Sequence, residues 1–177
     1  LKAVFALSAV GRAYLSQYFG DIEHYAVEEI YEREIYEMQQ MFGISPKQIV
    51  CDRHPGYISH QFAEHAANKG NLPLLQIQRH HAHIASVMAE HSLSHCIGVA
   101  MDGTGYGPDG AVWGCEFMHC RDAGFCRMGH LEYCGLLGAD SSARDAAQTA
   151  AVQLLQLPKQ DKACEKMIRR LLMCGQH

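Results

Sequence analysis

The chain has 177 residues, 48% of them hydrophobic, and a formal net charge of -4 at pH 7. That length and apolar content suit one domain with a sizeable core, or two small lobes, and exclude a disordered tail. The acidic balance gives no basic footprint for nucleic acid and no apolar run reaches the roughly 18 to 20 residues that span a bilayer, so a soluble, cytoplasmic protein with no nucleic-acid or membrane partner is expected.

The N-terminal stretch LKAVFALSAVGRAYLSQYFGD has a short apolar segment and no small-residue cleavage site, and is read as mid-protein sequence rather than a signal peptide. From Asp21 to Phe42, Ile22, Tyr25, Ile30, Ile35, Met38 and Met41 recur mostly at helical intervals, and Gly43 supplies a left-handed stop. A long amphipathic helix follows. After GISPK, the β-branched run QIVCD suits a buried parallel strand, the turn RHPGY follows, and a second helix over 58–69 is ended by Gly70.

The alternation continues with the strand LPLLQIQ, the helix HHAHIASVMAEHSL with Ile84, Val87 and Met88 on its apolar side, and the strand CIGVAMD. Strands alternating with helices predict a parallel sheet covered on both faces, which puts segments 47–52, 72–78 and 96–102 in one sheet. In MDGTGYGPDGAVWGCEFMHC a Gly-rich turn leaves no room for a crossover helix and predicts a β-hairpin. FCRMGHLEYC reads as a further strand, and residues 143–157 and 161–174 as helices.

Eight cysteines are scattered among core-type segments without a C-x-x-C pair, which favours reduced thiols over a disulfide scaffold. Cys115, His119, Cys120 and Cys126 lie close enough in sequence to suggest zinc. Their irregular intervals and the side-to-side alternation of a strand make core thiols the better reading.

Three segments carry candidate chemistry. In QRHHAHIASVMAEH, Gln78 to His91, His80 and His83 share a helical face and could offer two imidazoles to one metal ion; the structural alternative is rings satisfied by hydrogen bonds at a helix start. The turn CDRHPGY follows a strand, where parallel α/β sheets place ligands, so Asp52 and His54 are cleft candidates. Alternatively, Asp52 caps the next helix while Pro55 and Gly56 shape the turn. The loop MDGTGYGPDG sets Asp102, Gly103, Thr104 and Gly105 where backbone amides can approach a phosphate, although a tight hairpin uses the same residues.

Taken in order and spacing, YLSQYFGDIEH, IVCDRHPGY, QRHHAHIASVMAEH and GVAMDGTGYGPDGAVWGCEF closely resemble the HypF carbamoyltransferase family, in the domain it shares with TsaD-type tRNA threonylcarbamoyltransferases. The resemblance runs from near Leu1 to about Arg144. It implies an α/β fold: an actin-like, Hsp70-like (ASKHA) ATPase lobe, a mixed sheet flanked by helices, with a hairpin from the start of the second lobe. Residues 1–96 would form the proximal lobe and 97–177 the incomplete start of the second. It also implies an enzyme of hydrogenase maturation. Such enzymes use carbamoyl phosphate and ATP to make carbamoyl adenylate, then carbamoylate the C-terminal cysteine of a partner, HypE, for the cyanide ligands of nickel-iron hydrogenases.

In this family the histidine segment usually reads Q-H-H-H-A-H, its first and last histidines holding a divalent metal such as zinc, iron or magnesium. The last is His83 here. Arg79 occupies the first position, and a guanidinium cannot ligate a metal. The resemblance therefore leaves His80 as the second ligand, or Arg79 as a phosphate contact. A second departure is GLLGADSSARDAAQTA, where Gly138, Asp140 and Arg144 keep the register of a G-G-D-A-A-x-R-E-P-W run and the following positions drift. The family's acylphosphatase-like, C-x-x-C and adenylate-forming regions, and its distal lobe with a late aspartate ligand, are not in this sequence, which reads as a fragment inactive alone. The alternatives are a TsaD-like tRNA-modifying protein and a non-catalytic metal-binding module; CDRHPGY and DGTGYGPDG favour the HypF reading.

Overall fold

The computed structural model describes residues 3–20, 22, 25–135, 146–156 and 161–174. The chain divides into two compact units, Leu1–Ala82 with Tyr106–Ala111, and His83–Gly105 with Val112–His177.

The first unit opens with an element that the sequence pattern did not announce, an antiparallel hairpin of β1 (Ala6–Ala9) and β2 (Arg12–Leu15). Its two-residue turn, Val10 and Gly11, has φ of 50° and 71°. Two positive φ values match the right-handed twist of the strands, but a β-branched residue rarely adopts one. The predicted long helix is α1 (Tyr25–Phe42), and Gly43 stops it at φ 61°. Tyr31 of α1 is buried edge-on against Phe5, Phe19 and Phe62, at ring separations of 5.5, 5.2 and 5.9 Å. This aromatic cluster joins the segments flanking the hairpin to α1 and α2, and burial raises the pKa of the Tyr31 phenol.

Strands β3 (Ile49–Asp52) and β4 (Leu74–Ile77) pair in parallel, Ile49 opposite Leu74 and Asp52 opposite Ile77. The connecting helix, α2 (Ile58–Gly70), buries His60, Ala63 and Ala67. It runs through Gly70 rather than stopping there. The left-handed cap is Asn71, at φ 49°, because an Asn side chain tolerates this conformation and the cap backbone N–H reaches the orphan carbonyls of Ala67 and Asn68. Helix α3 (Arg79–Glu90) follows β4.

In the second unit, β5 (His95–Ala100), β8 (Glu116–Arg121) and β9 (Gly124–His130) form an antiparallel sheet in the order β5-β8-β9. The short strands β6 (Gly105–Tyr106) and β7 (Val112–Trp113) form a ladder of their own within the connection from β5 to β8. The hairpin expected across the Gly-rich run is therefore present. The expectation of a single sheet is not met: β5 pairs with β8, not with β3 or β4. Gly98 and Ala100 of β5 are buried while Ile97 and Val99 are exposed, the one-sided burial of an antiparallel strand rather than the two-sided burial of a parallel core. On β8 the same period puts Glu116, Met118 and Cys120 inside and Phe117, His119 and Arg121 outside.

Helices α4 (Ala146–Leu155) and α5 (Lys162–Cys174) bury Ala151, Val152 and Ile168. Asp161 caps α5, its Oδ1 accepting the Cys164 N–H at 2.8 Å. Gly138, Asp140 and Arg144 lie outside the described residues. Among the described residues no helix is long and apolar enough to cross a membrane.

Candidate functional site

Strand β5 ends at Ala100, and two residues later Asp102 turns its carboxylate toward α3. Its Oδ2 lies 3.1 Å from His83 Nε2, and its Oδ1 accepts the Thr104 N–H at 3.4 Å. His83 is half-exposed, with 53% of its side chain accessible against 20% for Asp102, so the pair is open to a ligand. The Asp102 carbonyl accepts the Cys115 N–H at 3.1 Å, which closes the loop at its base. Gly103 and Thr104 are exposed and Gly105 is buried. The packing demands a glycine at position 114, because a Cβ there would meet the Gly103 carbonyl oxygen at 2.9 Å.

Beneath the loop, Glu116 is fully buried and gripped by Arg127, whose Nε and Nη2 donate to Oε2 and Oε1 at 2.6 and 2.9 Å. Glu116 Oε1 also accepts the Gly114 N–H at 3.1 Å. Arg127 lies over Trp113, 3.9 Å from the ring centroid, and donates to Tyr133 Oη at 2.9 Å. Hydrogen bonding to Glu116 is the main reason that the guanidinium pKa is raised further.

In the first unit, His80 is fully buried, and its Nδ1 accepts from Gln78 Nε2 at 2.9 Å. Gln78 Oε1 accepts the His81 N–H at 2.8 Å, so this glutamine caps α3. That arrangement matches the structural alternative for His80, a ring satisfied at a helix start. Arg79, the first residue of α3, is half-buried.

Asp52 and His54 do come together. Asp52 Oδ1 accepts the His54 N–H at 2.8 Å, and His54 Nδ1 accepts the Gly56 N–H at 3.1 Å, which leaves the proton of the neutral ring on Nε2. His54 stacks on Tyr57 at 4.3 Å and meets Tyr106 edge-on at 5.3 Å. The Asp52 carboxylate thus shapes the turn rather than capping α2, whose N-cap position is Tyr57. Behind the turn, buried His60 donates from Nδ1 to the Asp52 carbonyl at 2.7 Å, and its Nε2 lies 3.3 Å from Glu64. Cys51 Sγ is 3.6 Å from the same Nδ1, and burial leads the causes that raise its thiol pKa.

A divalent metal fits this donor set in part. His83 and Asp102 supply a nitrogen and an oxygen, whereas His80 already uses Nδ1 on Gln78. Among the described residues no group of three or more His, Cys, Asp or Glu side chains could hold a metal ion. The cysteine segment is likewise dispersed, with Cys120 buried in the sheet and Cys126 exposed.

Sequence reasoning passed over Gln78, Glu116 and Arg127. A signal existed for Glu116: it holds the inward register of EFMHCR with Met118 and Cys120, and an acid on a buried face requires a partner.

Residues 1–90 match the family described as HypF Kae1-like domain, and residues 98–174 that described as Carbamoyltransferase, Kae1-like Domain, second subdomain. The carbamoyltransferase HypF of Synechocystis sp. is 41% identical over 139 residues, covering 77% of this chain and 18% of the relative. HypF2 of Cupriavidus necator is 37% identical over 155 residues, covering 86% and 19%. Among solved structures, full-length HypF in a phosphate- and nucleotide-bound form superposes with a TM-score of 0.78 at 31% identity, covering 98% of this chain and 28% of that one. HypF from T. kodakarensis gives 0.79 at 35% identity, covering 87% and 20%. The chain thus spans about a fifth of the length of the curated relatives it matches. With both of its segments matched and the α/β fold shared with solved HypF structures, the chain belongs to the HypF carbamoyltransferase family.

Proposed function

We propose that this chain is the part of a HypF-like carbamoyltransferase in which the carbamoyl group is handed on, within a protein that uses carbamoyl phosphate and ATP. Carbamoyl adenylate is the intermediate in this reading, and the C-terminal cysteine of HypE is the acceptor, for cyanide ligand synthesis in nickel-iron hydrogenase maturation. Residues 1–96 are read as the proximal lobe and 97–177 as the start of the second. The observation that carries the proposal is the pairing of His83 with Asp102 at the mouth of the loop Asp102–Gly105.

In this reading carbamoyl phosphate loses its phosphate to water, and the carbamate oxygen then displaces pyrophosphate from ATP, so that AMP becomes the leaving group. The acceptor thiol then gives up its proton, its sulfur bonds the carbamoyl carbon, and the bond to the AMP oxygen breaks to release AMP. In this chain, loop amides such as that of Gly103 would face phosphate oxygens, and Asp102 would hold the His83 ring in one orientation. A divalent ion held by His83 and Asp102 in place of the proton between them would neutralise charge on phosphate oxygens and polarise the reacting carbonyl. The nucleotide and phosphate of the full-length HypF structure support a nucleotide here, and the described residues support His83 over His80 as the principal metal-facing ring.

The test is a full-length protein carrying this chain, assayed for carbamoyl-phosphate-dependent exchange between ATP and pyrophosphate and for carbamoyl transfer to HypE. Both activities are expected. Exchange without carbamoyl phosphate, or transfer to a tRNA nucleoside in place of a cysteine thiol, would contradict the proposal.

A further inference from the structure

A charged pair in the interior of a sheet is a costly way to fill space, because desolvation offsets most of the attraction between the partners and aliphatic residues of similar volume often serve as well. Glu116 nevertheless lies fully buried, with the side chain of Arg127, which pairs with it, 19% exposed. An aliphatic pair could not accept a hydrogen bond, and Glu116 Oε1 takes the Gly114 N–H at 3.1 Å. Gly114 lies so close to the Gly103 carbonyl that no Cβ fits between them. The next residue, Cys115, is held in the left-handed region at φ 58° and donates its N–H to the Asp102 carbonyl at 3.1 Å. A continuous set of contacts therefore runs from Arg127 through Glu116, Gly114 and Cys115 to Asp102, whose carboxylate faces His83. Trp113 and Tyr133 fix the guanidinium at the far end.

We propose that Glu116 and Arg127 are positioning residues for Asp102. They set its carboxylate against His83 through the Gly114–Cys115 backbone and so govern the rate of carbamoyl transfer without touching the substrate. The proposal rests on the reading of His83 and Asp102 as part of the transfer site.

The test uses the full-length protein, with adenylation followed as ATP–pyrophosphate exchange and transfer followed separately on HypE. In E116L/R127M both charges are removed together, so no unpaired charge is left buried. Transfer kcat is expected to fall roughly ten- to a hundredfold, the scale of a misplacement of about 1 Å, with exchange and the KM for HypE unchanged. Arg127→Lys keeps the cation and loses the two-pronged grip, and is expected to lower transfer kcat severalfold; it decides the question if the double variant does not fold. Adding Asp102→Asn to either variant should cost no more than Asp102→Asn alone, since both act through one carboxylate. A pair that merely stabilised the fold would instead add its effect to that of Asp102→Asn. Parental transfer kcat in the folded variants, or full additivity, would overturn the proposal. A parent without carbamoyl transfer, or an Asp102→Asn variant with parental transfer, would instead overturn the underlying functional reading.

Discussion

Ile84 of α3 sits on Gly98 of β5 so closely that a Cβ at position 98 would lie 2.5 Å from Ile84 Cδ1 and 2.6 Å from Cγ2. Ile84 is itself buried and has little room to yield. This contact seats the helix that carries His83 on the strand that leads to Asp102. Gly98→Ala is expected to destabilise the chain by about 1–3 kcal/mol, the usual cost of overpacking, and Ile84→Val in the same background to recover part of it. Urea unfolding of the parent and both variants measures this, and an unchanged midpoint for Gly98→Ala would count against the packing described.

The β1–β2 turn suggests a substitution in the opposite direction. Val10 is fully exposed at φ 50°, so its side chain gains no burial in return for its strained backbone. Asn tolerates that region, and Val10→Asn is expected to stabilise the chain by about 1 kcal/mol. The thermal midpoint should rise. A fall would mean that the valine makes a contribution unrelated to the turn.

These elements show what was legible in the sequence. The helix over 25–42, the β3–α2–β4 unit and the hairpin after β5 follow from apolar periodicity and glycine stops, which are local signals. The β1–β2 hairpin was hidden because Val-Gly stands where Asn-Gly or Asp-Gly would mark such a turn. The partner of β5 is not legible in the sequence because a strand after a helix reads as a parallel neighbour, and the one-sided burial that separates the two cases comes from the fold. Motif and position single out His83 and Asp102, which the second unit brings together, and Asp52, which shapes a turn of the first unit. The roles of Gln78, Glu116 and Arg127 were not legible, since each depends on a hydrogen-bond partner supplied by the fold.

The pH dependence of stability is expected to carry a signature of His81. Burial disfavours its cation and lowers its pKa below the ordinary 6.5. The unfolded chain therefore binds this proton more readily than the folded one. The stabilising contribution is complete above about 6.5 and is lost as pH falls toward and past the folded-state pKa. His81→Gln should flatten the decline of unfolding free energy on acidification from 6.5. Identical acid profiles for parent and variant would remove His81 as its source.

The seven cysteines whose side chains are described are all free thiols, and burial is the main reason that the pKa of Cys120 is raised, beside Cys96 on the neighbouring strand. Thiol titration of freshly prepared protein in denaturant, without reductant, is expected to find all eight cysteines of the sequence. Recovery of fewer than about six would indicate disulfides and an oxidising compartment.

The most direct test of the account is the effect of His83→Ala and Asp102→Asn on carbamoyl transfer from carbamoyl phosphate and ATP to the HypE thiol, measured in the full-length protein beside ATP–pyrophosphate exchange. Each variant is expected to lose transfer by roughly a hundredfold, the loss associated with removing one preorganised group from a reacting centre, and to keep exchange at the parental rate. Parental transfer in both variants would contradict the assignment of this pair to the transfer site.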